Sequence, residues 1–469
     1  MIATSTFPNN LKNADVTPVL KKGNKFEKIN YRPVSILPAI SKIFERLLFC
    51  QINNFMDSKI SKYQCGFRKF FSAQHCLILM LEKWRTSVDN KGCAGALLTD
   101  LSKAFDCLNH DLLIAKLEAY GFNYFSLSLI SSYLSNRYQR VRINSSYSLW
   151  SEIITGVPQG SILGPLIFNI YLSDLFLLEM NSVIINYADD NTPLTCDKDM
   201  NSVISKLEND SKILLNWVKN NGLKANPDKF HLLTSATENS QSIRVDNYDI
   251  SNSKCEKLLG IIIDNKLDFT EHVSKICKTA SKKLHALSRI AHYMDINQRR
   301  TIMHAFVKSQ FGYCPLVWMF HNRTLNNRIN KIHERALKKA YNDHDSSFDK
   351  LLEKDNSVTI HHRNIHALAI EIFKIIKGIS PKFMNEIFGL KEQIKYCSRF
   401  SFKSRNIKTT KYGSETLSFL GPKIWFMLPN DIKESVSLVD FKKKIKTWKP
   451  VGCPCRICKV YVAGVGFVS

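Results

Sequence analysis

Apolar residues recur at helical spacing along much of the chain. They return every three or four positions in 40–56, 72–88, 110–121 and 203–223, which predicts amphipathic helices. In the first of these the shared face carries Ile40, Ile43, Phe44, Leu47 and Leu48. Gly121 and Gly222 close two of the predicted helices, since glycine suits the left-handed position after a helix end.

Other segments carry a strand pattern. The apolar run 92–101 begins at a glycine and predicts a buried strand. Residues 137–156 alternate enough to predict a hairpin, and 182–196 predict a strand, a tight turn and a second strand. Helices and strands mix without strict alternation, which favours an α+β fold.

The character of the chain changes after about residue 265. In 272–290 the apolar stripe is Val273, Ile276, Ala280, Leu284 and Leu287, and four lysines lie off it. This pattern predicts a helix with a core face and a basic face. Basic helical sequence continues through 326–343.

The charge balance and the cysteine content indicate the kind of partner and the cellular compartment. Lys and Arg number 66 against 41 Asp and Glu, a formal charge of +25, which indicates a polyanionic partner and most often nucleic acid. The 13 cysteines show no disulfide spacing, the first residues do not resemble a signal peptide, and the most apolar segment, 162–180, is interrupted by Asn169 and Asp174. We therefore expect an intracellular, reduced protein without a membrane span, in the nucleus or the cytoplasm.

Asp189 and Asp190 stand side by side straight after an apolar run. Neighbouring carboxylates repel, and burying them unpaired is costly, so a divalent metal is the natural partner. Asp100 ends the predicted strand 92–101 and offers a third carboxylate. A solvated turn is the alternative for an isolated Asp pair. The second strand-end aspartate and the basic chain favour a magnesium site.

Seven motifs, in order along the chain, resemble those of non-LTR retrotransposon reverse transcriptases. They are "NYRPVSILPAISKIFERLL" (30–48), "QCGFRKFFSAQH" (64–75), "LTDLSKAFDCLNH" (98–110), "TGVPQGSILGPLIFNIYLSDL" (155–175), "YADD" (187–190), "GLKANPDKFHLL" (222–233) and "KLLGIIIDNKLDFTEHV" (257–273). The region after the last motif is similar to jockey-like elements.

The resemblance implies a right-hand polymerase that copies RNA into DNA with two Mg²⁺ ions. RNA template, DNA primer and deoxynucleoside triphosphates are the implied partners. The expected layout is a lead-in (1–24), fingers and palm (25–263, dividing near 92), a basic helical thumb (264–345) and a C-terminal extension (346–469).

The resemblance also implies roles for single residues. Asp100, Asp189 and Asp190 match the metal-binding triad, and Lys229 matches a lysine that protonates the leaving pyrophosphate. The nucleotide-binding positions are Arg68 for the triphosphate, Phe105 as the steric gate under the sugar, and Gln159 and Gly160 beside the nascent base pair. Leu259 and Gly260 match the primer grip. Asp106 and Asp111 are not expected to be metal ligands.

Several alternatives stay open. Several of the matched residues also have an ordinary structural interpretation, such as a core aromatic for Phe105 or a salt-bridged arginine for Arg68. Cys453, Cys455 and Cys458 could hold zinc, but no fourth ligand is evident, and we favour reduced cysteines.

The polymerase motifs begin about thirty residues from Met1, so we expect a truncated copy, or a fragment of a longer open reading frame, that lacks the family's N-terminal endonuclease. The rival functions are a catalytically silent nucleic-acid-binding remnant, an intron maturase-like RNA-binding protein and an RNA-dependent RNA polymerase.

Overall fold

The computed structural model describes most of the chain. The described residues are 4–21, 23–235, 241–390, 402–403, 405–450, 455, 457, 460–462 and 466–468. The strands are β1 (Ala14–Leu20), β2 (Tyr31–Ile36), β3 (Cys93–Asp100), β4 (Arg137–Ile143), β5 (Ser146–Tyr147), β6 (Ser151–Ile153), β7 (Val183–Tyr187), β8 (Asp190–Asp197), β9 (His231–Thr234), β10 (Ser242–Val245), β11 (Tyr248–Ser251), β12 (Cys255–Leu258), β13 (Ile261–Asp264), β14 (Val460–Val462) and β15 (Gly466–Val468).

Helices outnumber strands in the described part of the second half of the chain. They are α1 (Ala39–Met56), α2 (Ala73–Asp89), α3 (His110–Ala119), α4 (Tyr124–Leu134), α5 (Gly164–Leu172), α6 (Met200–Asn220), α7 (Thr270–Ile290), α8 (Ile296–Ile302), α9 (Pro315–Trp318), α10 (Arg323–Tyr341), α11 (Phe348–Lys354), α12 (Ile360–Ile376), α13 (Phe383–Phe388), α14 (Leu417–Met427), α15 (Asn430–Lys433) and α16 (Leu438–Ile445). The fold is α+β, as predicted. Among these helices, none has both the length and the apolar character needed to cross a bilayer.

Two main sheets organise the first half of the chain. The central sheet has the order β7-β8-β3-β9 and is antiparallel throughout. The second sheet has the order β2-β1-β4-β5, with β6 also paired to β4. Strand β1 pairs antiparallel with β2 and parallel with β4. It lies in the segment 1–24, where the sequence pattern predicts no strand.

The central sheet buries both of its faces. Side chains alternate across a strand, and in β3 Ala94, Ala96 and Leu98 pack into the apolar cluster that contains α2. Leu97 points the other way, into the cluster with α6. Asp100 continues the first series, so it lies on the α2 side where the strand ends.

The helices predicted from apolar spacing are confirmed as α1, α2, α3, α6 and α7. The stripe on α7 is also confirmed, since Val273, Ala280, Leu284 and Leu287 are buried. The apolar face of α1 behaves differently. Ile40, Ile43 and Leu47 are more than half exposed, while Glu45 is buried and accepts hydrogen bonds from the amides of Ile162 and Leu163, ahead of α5.

The C-terminal region is bound to α2 by three buried polar side chains spaced seven residues apart. His75 Nε2 lies 2.9 Å from Glu371 Oε1 on α12. Glu82 accepts the amide of Leu417 at the start of α14 over 2.6 Å. Asp89 accepts the amide of Thr409 over 2.8 Å. One apolar cluster runs continuously through α2, α7, α10, α12, α14 and α16.

Candidate active site

Three aspartates meet at one end of the central sheet. Asp100 is the last residue of β3 and Asp190 the first of β8, and the two are direct partners in the antiparallel register. Directly opposed residues share one face, with Cα atoms about 4.5–5.5 Å apart. Asp189 sits in the two-residue turn before β8 and is exposed. The structure therefore places all three aspartates of the predicted triad at the same end of the sheet.

The turn that carries Asp189 has a defined backbone. Tyr187 pairs with Asp190, leaving Ala188 and Asp189 as the loop, and Ala188 has φ +58°. Two-residue hairpin turns of the primed types require a positive φ at that first position. An alanine there is strained and depends on support from its surroundings.

That support comes from beneath the turn. Asn186, fully buried, donates from Nδ2 to the main-chain oxygen of Ala188 over 2.7 Å and to Asn191 Oδ1 over 2.9 Å. Gly66 lies against the same turn, and a Cβ added there would be 2.4 Å from the Ala188 nitrogen. The amide of Cys65 also donates to the Asn186 carbonyl over 2.9 Å.

The electrostatics of the site reflect crowded negative charge. Burial and then the nearby carboxylates of Asp189 and Asp100 raise the pKa of Asp190 to about 6, and Lys21 opposes the shift. Lys229, at the end of the 3-10 turn Pro227–Lys229, places Nζ 2.9 Å from Asp100 Oδ2. One cationic side chain therefore already contacts the triad.

No metal cage is assembled among the described residues: within those ranges, no three Asp, Glu, His or Cys side chains are grouped so that they could hold an ion. Of the three cysteines considered as possible zinc ligands, Cys453 and Cys458 lie outside the described residues. Cys455 Sγ lies 3.2 Å from His361 Nε2.

Phe105 lies in an aromatic cluster. It belongs to the 3-10 turn Ala104–Asp106 that follows β3. Its ring stacks on Phe168 of α5 with centroids 4.3 Å apart and meets the edge of Phe67 at 5.9 Å. Phe105 is partly buried, and its role as the steric gate stays a prediction.

Gln159 and Gly160 connect this region to the second sheet. The Gln159 carbonyl accepts the amide of Ser35 on β2 over 2.8 Å, and its side-chain Nε2 donates to Asp106 Oδ1 over 2.9 Å. Gly160 has φ +140°, and a Cβ there would lie 2.4 Å from the Ser35 carbonyl oxygen. Glycine is required at this position by both the backbone angle and the close approach.

Arg68 is held by main-chain oxygens. Its guanidinium donates to the carbonyls of Ser61 (2.7 Å), Gln64 (3.2 Å) and Asp57 (3.3 Å), and its side chain is only 10% exposed. The guanidinium also lies 4.4 Å from the ring centre of Phe71. In this arrangement Arg68 fixes the loop before α2, and its triphosphate role stays a prediction.

The predicted primer grip is the turn of the hairpin β12–β13. Leu259 (φ +47°) and Gly260 (φ +87°) form its two-residue loop. Tyr313 donates its hydroxyl to the Leu259 carbonyl over 2.7 Å. Leu259 also lines a small cavity together with Tyr187 and Asp190, so this hairpin adjoins the aspartate turn.

Sequence comparison identifies the family. The reverse transcriptase (RNA-dependent DNA polymerase) family matches residues 19–263, more than half of the chain. The chain belongs to this family.

Related polymerases of mobile elements extend the match beyond these residues. A probable RNA-directed DNA polymerase from transposon BS of Drosophila melanogaster is 27% identical over 350 residues, covering 71% of this chain and 38% of the relative. The RNA-directed DNA polymerase from mobile element jockey of the same species is 29% identical over 294 residues, covering 60% of this chain and 32% of the relative. This reverse transcriptase chain thus spans well under half the length of either relative.

Among solved structures, telomerase from Candida tropicalis with a fragment of telomeric RNA matches with a TM-score of 0.41 and 14% identity. That match covers 77% of this chain and 62% of the telomerase chain.

Sequence reasoning missed several residues of this reverse transcriptase site. Asn186 and Asn191 are polar residues within apolar strand segments, and this pattern could have marked them as structurally important. The sequence does not show which groups they contact. Gly66 belongs to one of the matched motifs, but the sequence does not show that it packs against Ala188. Asp106 was not expected to be a metal ligand, and its contact with Gln159 was not predicted.

Proposed function

We propose that the chain is the RNA-directed DNA polymerase of a non-LTR retrotransposon. It adds deoxynucleotides to the 3′-hydroxyl of a DNA primer annealed to an RNA template. The observation that carries the proposal is the direct pairing of Asp100 with Asp190, beside the turn that carries Asp189. Membership of the reverse transcriptase family supports the same assignment.

The three carboxylates suit a pair of Mg²⁺ ions. Magnesium prefers oxygen ligands and usually keeps waters or substrate phosphates, so one or two carboxylates per ion are sufficient. The raised pKa of Asp190 indicates negative charge that a divalent cation would neutralise. When bound, the ions would activate the attacking hydroxyl and stabilise the leaving pyrophosphate in an in-line displacement.

The remaining residues would position the reactants. Phe105 would lie under the sugar and exclude a 2′-hydroxyl, while Gln159 and Gly160 would border the nascent base pair. Arg68 would contact the triphosphate. Lys229, beside Asp100, would supply the proton to the departing pyrophosphate.

The nucleic acid would be held by the primer grip and the thumb. Leu259 and Gly260 would contact the primer end. In the proposed thumb (264–345), Lys275, Lys278 and Lys282 are exposed on α7 and would face sugar–phosphate backbone without reading sequence. Fingers and palm (25–263) and the extension (346–469) complete the proposed layout.

Primer extension tests the proposal. The purified chain is given oligo(dT) annealed to poly(rA), dTTP and Mg²⁺. We expect extension that Asp189→Asn reduces by about a hundredfold or more, because charge neutralisation dominates catalysis in such sites. Asp345→Asn, an exposed aspartate beyond α10, is the matched control and should retain full activity. RNA binding without extension by the unsubstituted chain would favour a silent remnant instead.

A further inference from the structure

Two segments that carry proposed nucleotide contacts are joined along their lengths. The amide of Val157 donates to the Phe105 carbonyl over 3.0 Å, and the amide of Gly156 donates to the Leu108 carbonyl over 2.8 Å. Thr155 Oγ1 donates to the Asp106 carbonyl over 3.1 Å. The segment after β3 and the loop before α5 therefore share one hydrogen-bonded interface.

The interface is also sterically tight. Gly156 has φ +79°, and a Cβ there would lie 2.7 Å from the Asp106 Cα. His110 Nε2 lies 2.8 Å from the Gly156 carbonyl on the same interface. The main chain of Asp106 is thus fixed against the loop that leads to Gln159.

The Asp106 side chain uses this position to hold Gln159. Its Oδ1 accepts the Gln159 Nε2 hydrogen over 2.9 Å. Because Asp106 Oδ1 accepts this bond, the amide nitrogen of Gln159 faces Asp106 and the amide oxygen faces away from it. The Gln159 main-chain carbonyl accepts a separate hydrogen bond from the Ser35 amide. The main chain of Gln159 is therefore held by Ser35, and its side chain is held by Asp106.

We propose that Asp106 is a positioning residue for nucleotide binding, acting through Gln159. This inference rests on the proposed polymerase function and adds to it a residue that touches neither metal nor nucleotide. Asp106 directly follows Phe105, the proposed steric gate, in the 3-10 turn Ala104–Asp106. This turn therefore connects the gate to the loop that carries Gln159. The carboxylate sets which end of the Gln159 amide is offered to the incoming nucleotide.

Steady-state kinetics with dTTP on primed poly(rA) test the proposal. Asp106→Ala should raise the KM for dTTP about two- to tenfold, the range of one lost hydrogen bond, with kcat changed by less than about twofold. Asp106→Asn keeps an Oδ1 acceptor for Gln159 and should restore a KM near that of the unsubstituted chain. Asp111→Ala, an exposed aspartate five residues away on α3, is the matched control.

A double substitution makes the test specific. If Asp106 acts through Gln159, Asp106→Ala should change nothing further in a Gln159→Ala chain. Three outcomes would each overturn the inference. The effects of the two substitutions could be additive, or Asp106→Asn could have the same defect as Asp106→Ala. The third is a lower kcat at unchanged KM, which is what a loss of folded enzyme would give. An inactive unsubstituted chain overturns the proposed function and this inference with it, whereas an active chain indifferent to Asp106→Ala overturns the inference alone.

Discussion

The side-chain amide of Asn186 donates to the main-chain oxygen of Ala188 over 2.7 Å. This bond closes the turn that carries Asp189, from a position that is fully buried in the sheet. The main chain of Asn186 is fixed in turn, because its amide donates to the Tyr63 carbonyl and its carbonyl accepts from Cys65. The exposed end of the hairpin that carries Asp189 is therefore held by contacts with the buried residues below it.

Asn186→Ala should lower the unfolding free energy and slow primer extension. The Ala188 carbonyl and the Asn191 side chain would lose their shared donor, which should cost about 1–3 kcal/mol of unfolding free energy. Small displacements of catalytic groups are expensive, so extension should slow by roughly tenfold or more. Urea unfolding and single-turnover extension measure the two effects. Asn220→Ala, at the exposed end of α6, should leave both unchanged, and equal behaviour of the two variants would contradict the role of Asn186.

Gly66→Ala should displace the same turn from the other side. The added methyl would start 2.4 Å from the Ala188 nitrogen, a backbone atom that cannot simply rotate away. We expect a loss of about 1–3 kcal/mol from overpacking and a matching fall in extension rate. Gly312→Ala, whose nearest neighbour would be 3.2 Å away, should be milder. Wild-type extension by Gly66→Ala would show that the turn does not depend on this contact.

Asp190→Asn should stabilise the protein while weakening its activity. Burial and the neighbouring carboxylates raise the pKa of Asp190 to about 6 from 3.8. At pH 7 the carboxyl is ionised in both folded and unfolded chains, and the folded state carries the penalty. In EDTA the substitution should therefore add about 1–3 kcal/mol to the unfolding free energy. A less stable Asp190→Asn chain at pH 7 would contradict the conclusion that burial and the neighbouring carboxylates make the ionised Asp190 unfavourable in the folded state.

Phe105→Ala should relax sugar selection. Loss of the ring that packs between Phe67 and Phe168 would leave space for a 2′-hydroxyl. We expect ribonucleotide incorporation relative to deoxynucleotide to rise about tenfold or more, because a steric clash is removed. Competition between UTP and dTTP on primed poly(rA) measures the ratio. Phe26→Ala, whose ring is exposed, should keep the original ratio, and an unchanged ratio in Phe105→Ala would refute the gate.

Glu371→Gln should weaken the attachment of the C-terminal region in a pH-dependent way. Burial alone would raise the pKa of Glu371, but hydrogen bonds and charge from His75 and Lys374, with Ser380, lower it to about 2 from 4.5. The ionised form is thus favoured in the fold, and its stabilisation is complete above pH 4.5 and lost as the pH falls toward 2. The variant should lose about 2–3 kcal/mol at pH 6. Glu353→Gln, exposed on α11, is the control, and a deficit that persists undiminished at pH 3 would contradict the ion pair.

Local patterns predicted the elements that bear the triad. The apolar run ending at Asp100 and the strand–turn–strand pattern around Asp189 depend on residues adjacent in the chain, and both are confirmed. The stripe on α7 was equally visible, because Leu284 and Leu287 repeat an interval that only a helix can bury on one side.

Contacts between distant segments were not predictable. Strand β1 forms because β2 and β4, the latter more than a hundred residues away, supply its hydrogen bonds. In α1, Glu45 is buried because amides ahead of α5 need an acceptor, which turns Ile43 toward solvent. A sequence shows each of these residues, but it does not show which distant residues they contact.

In the candidate active site, too, single residues were predicted from the sequence but the contacts between them were not. The motifs gave Asp100 and Lys229 separately, but their 2.9 Å contact depends on how β3 and the turn after α6 meet. The anchoring of Arg68 to three carbonyls and the bond between Asp106 and Gln159 also join residues whose proximity only the folded chain creates.

Cation binding tests the central claim most directly. The chain, bound to a chain-terminated primer on poly(rA) with dTTP, is titrated with Mn²⁺, and bound ions are counted by electron paramagnetic resonance. We predict about two bound ions per chain, a loss of at least one in Asp100→Asn and in Asp189→Asn, and full binding in Asp345→Asn. Unchanged Mn²⁺ binding in both triad variants would contradict the assignment of these carboxylates as the metal-holding centre of a polymerase.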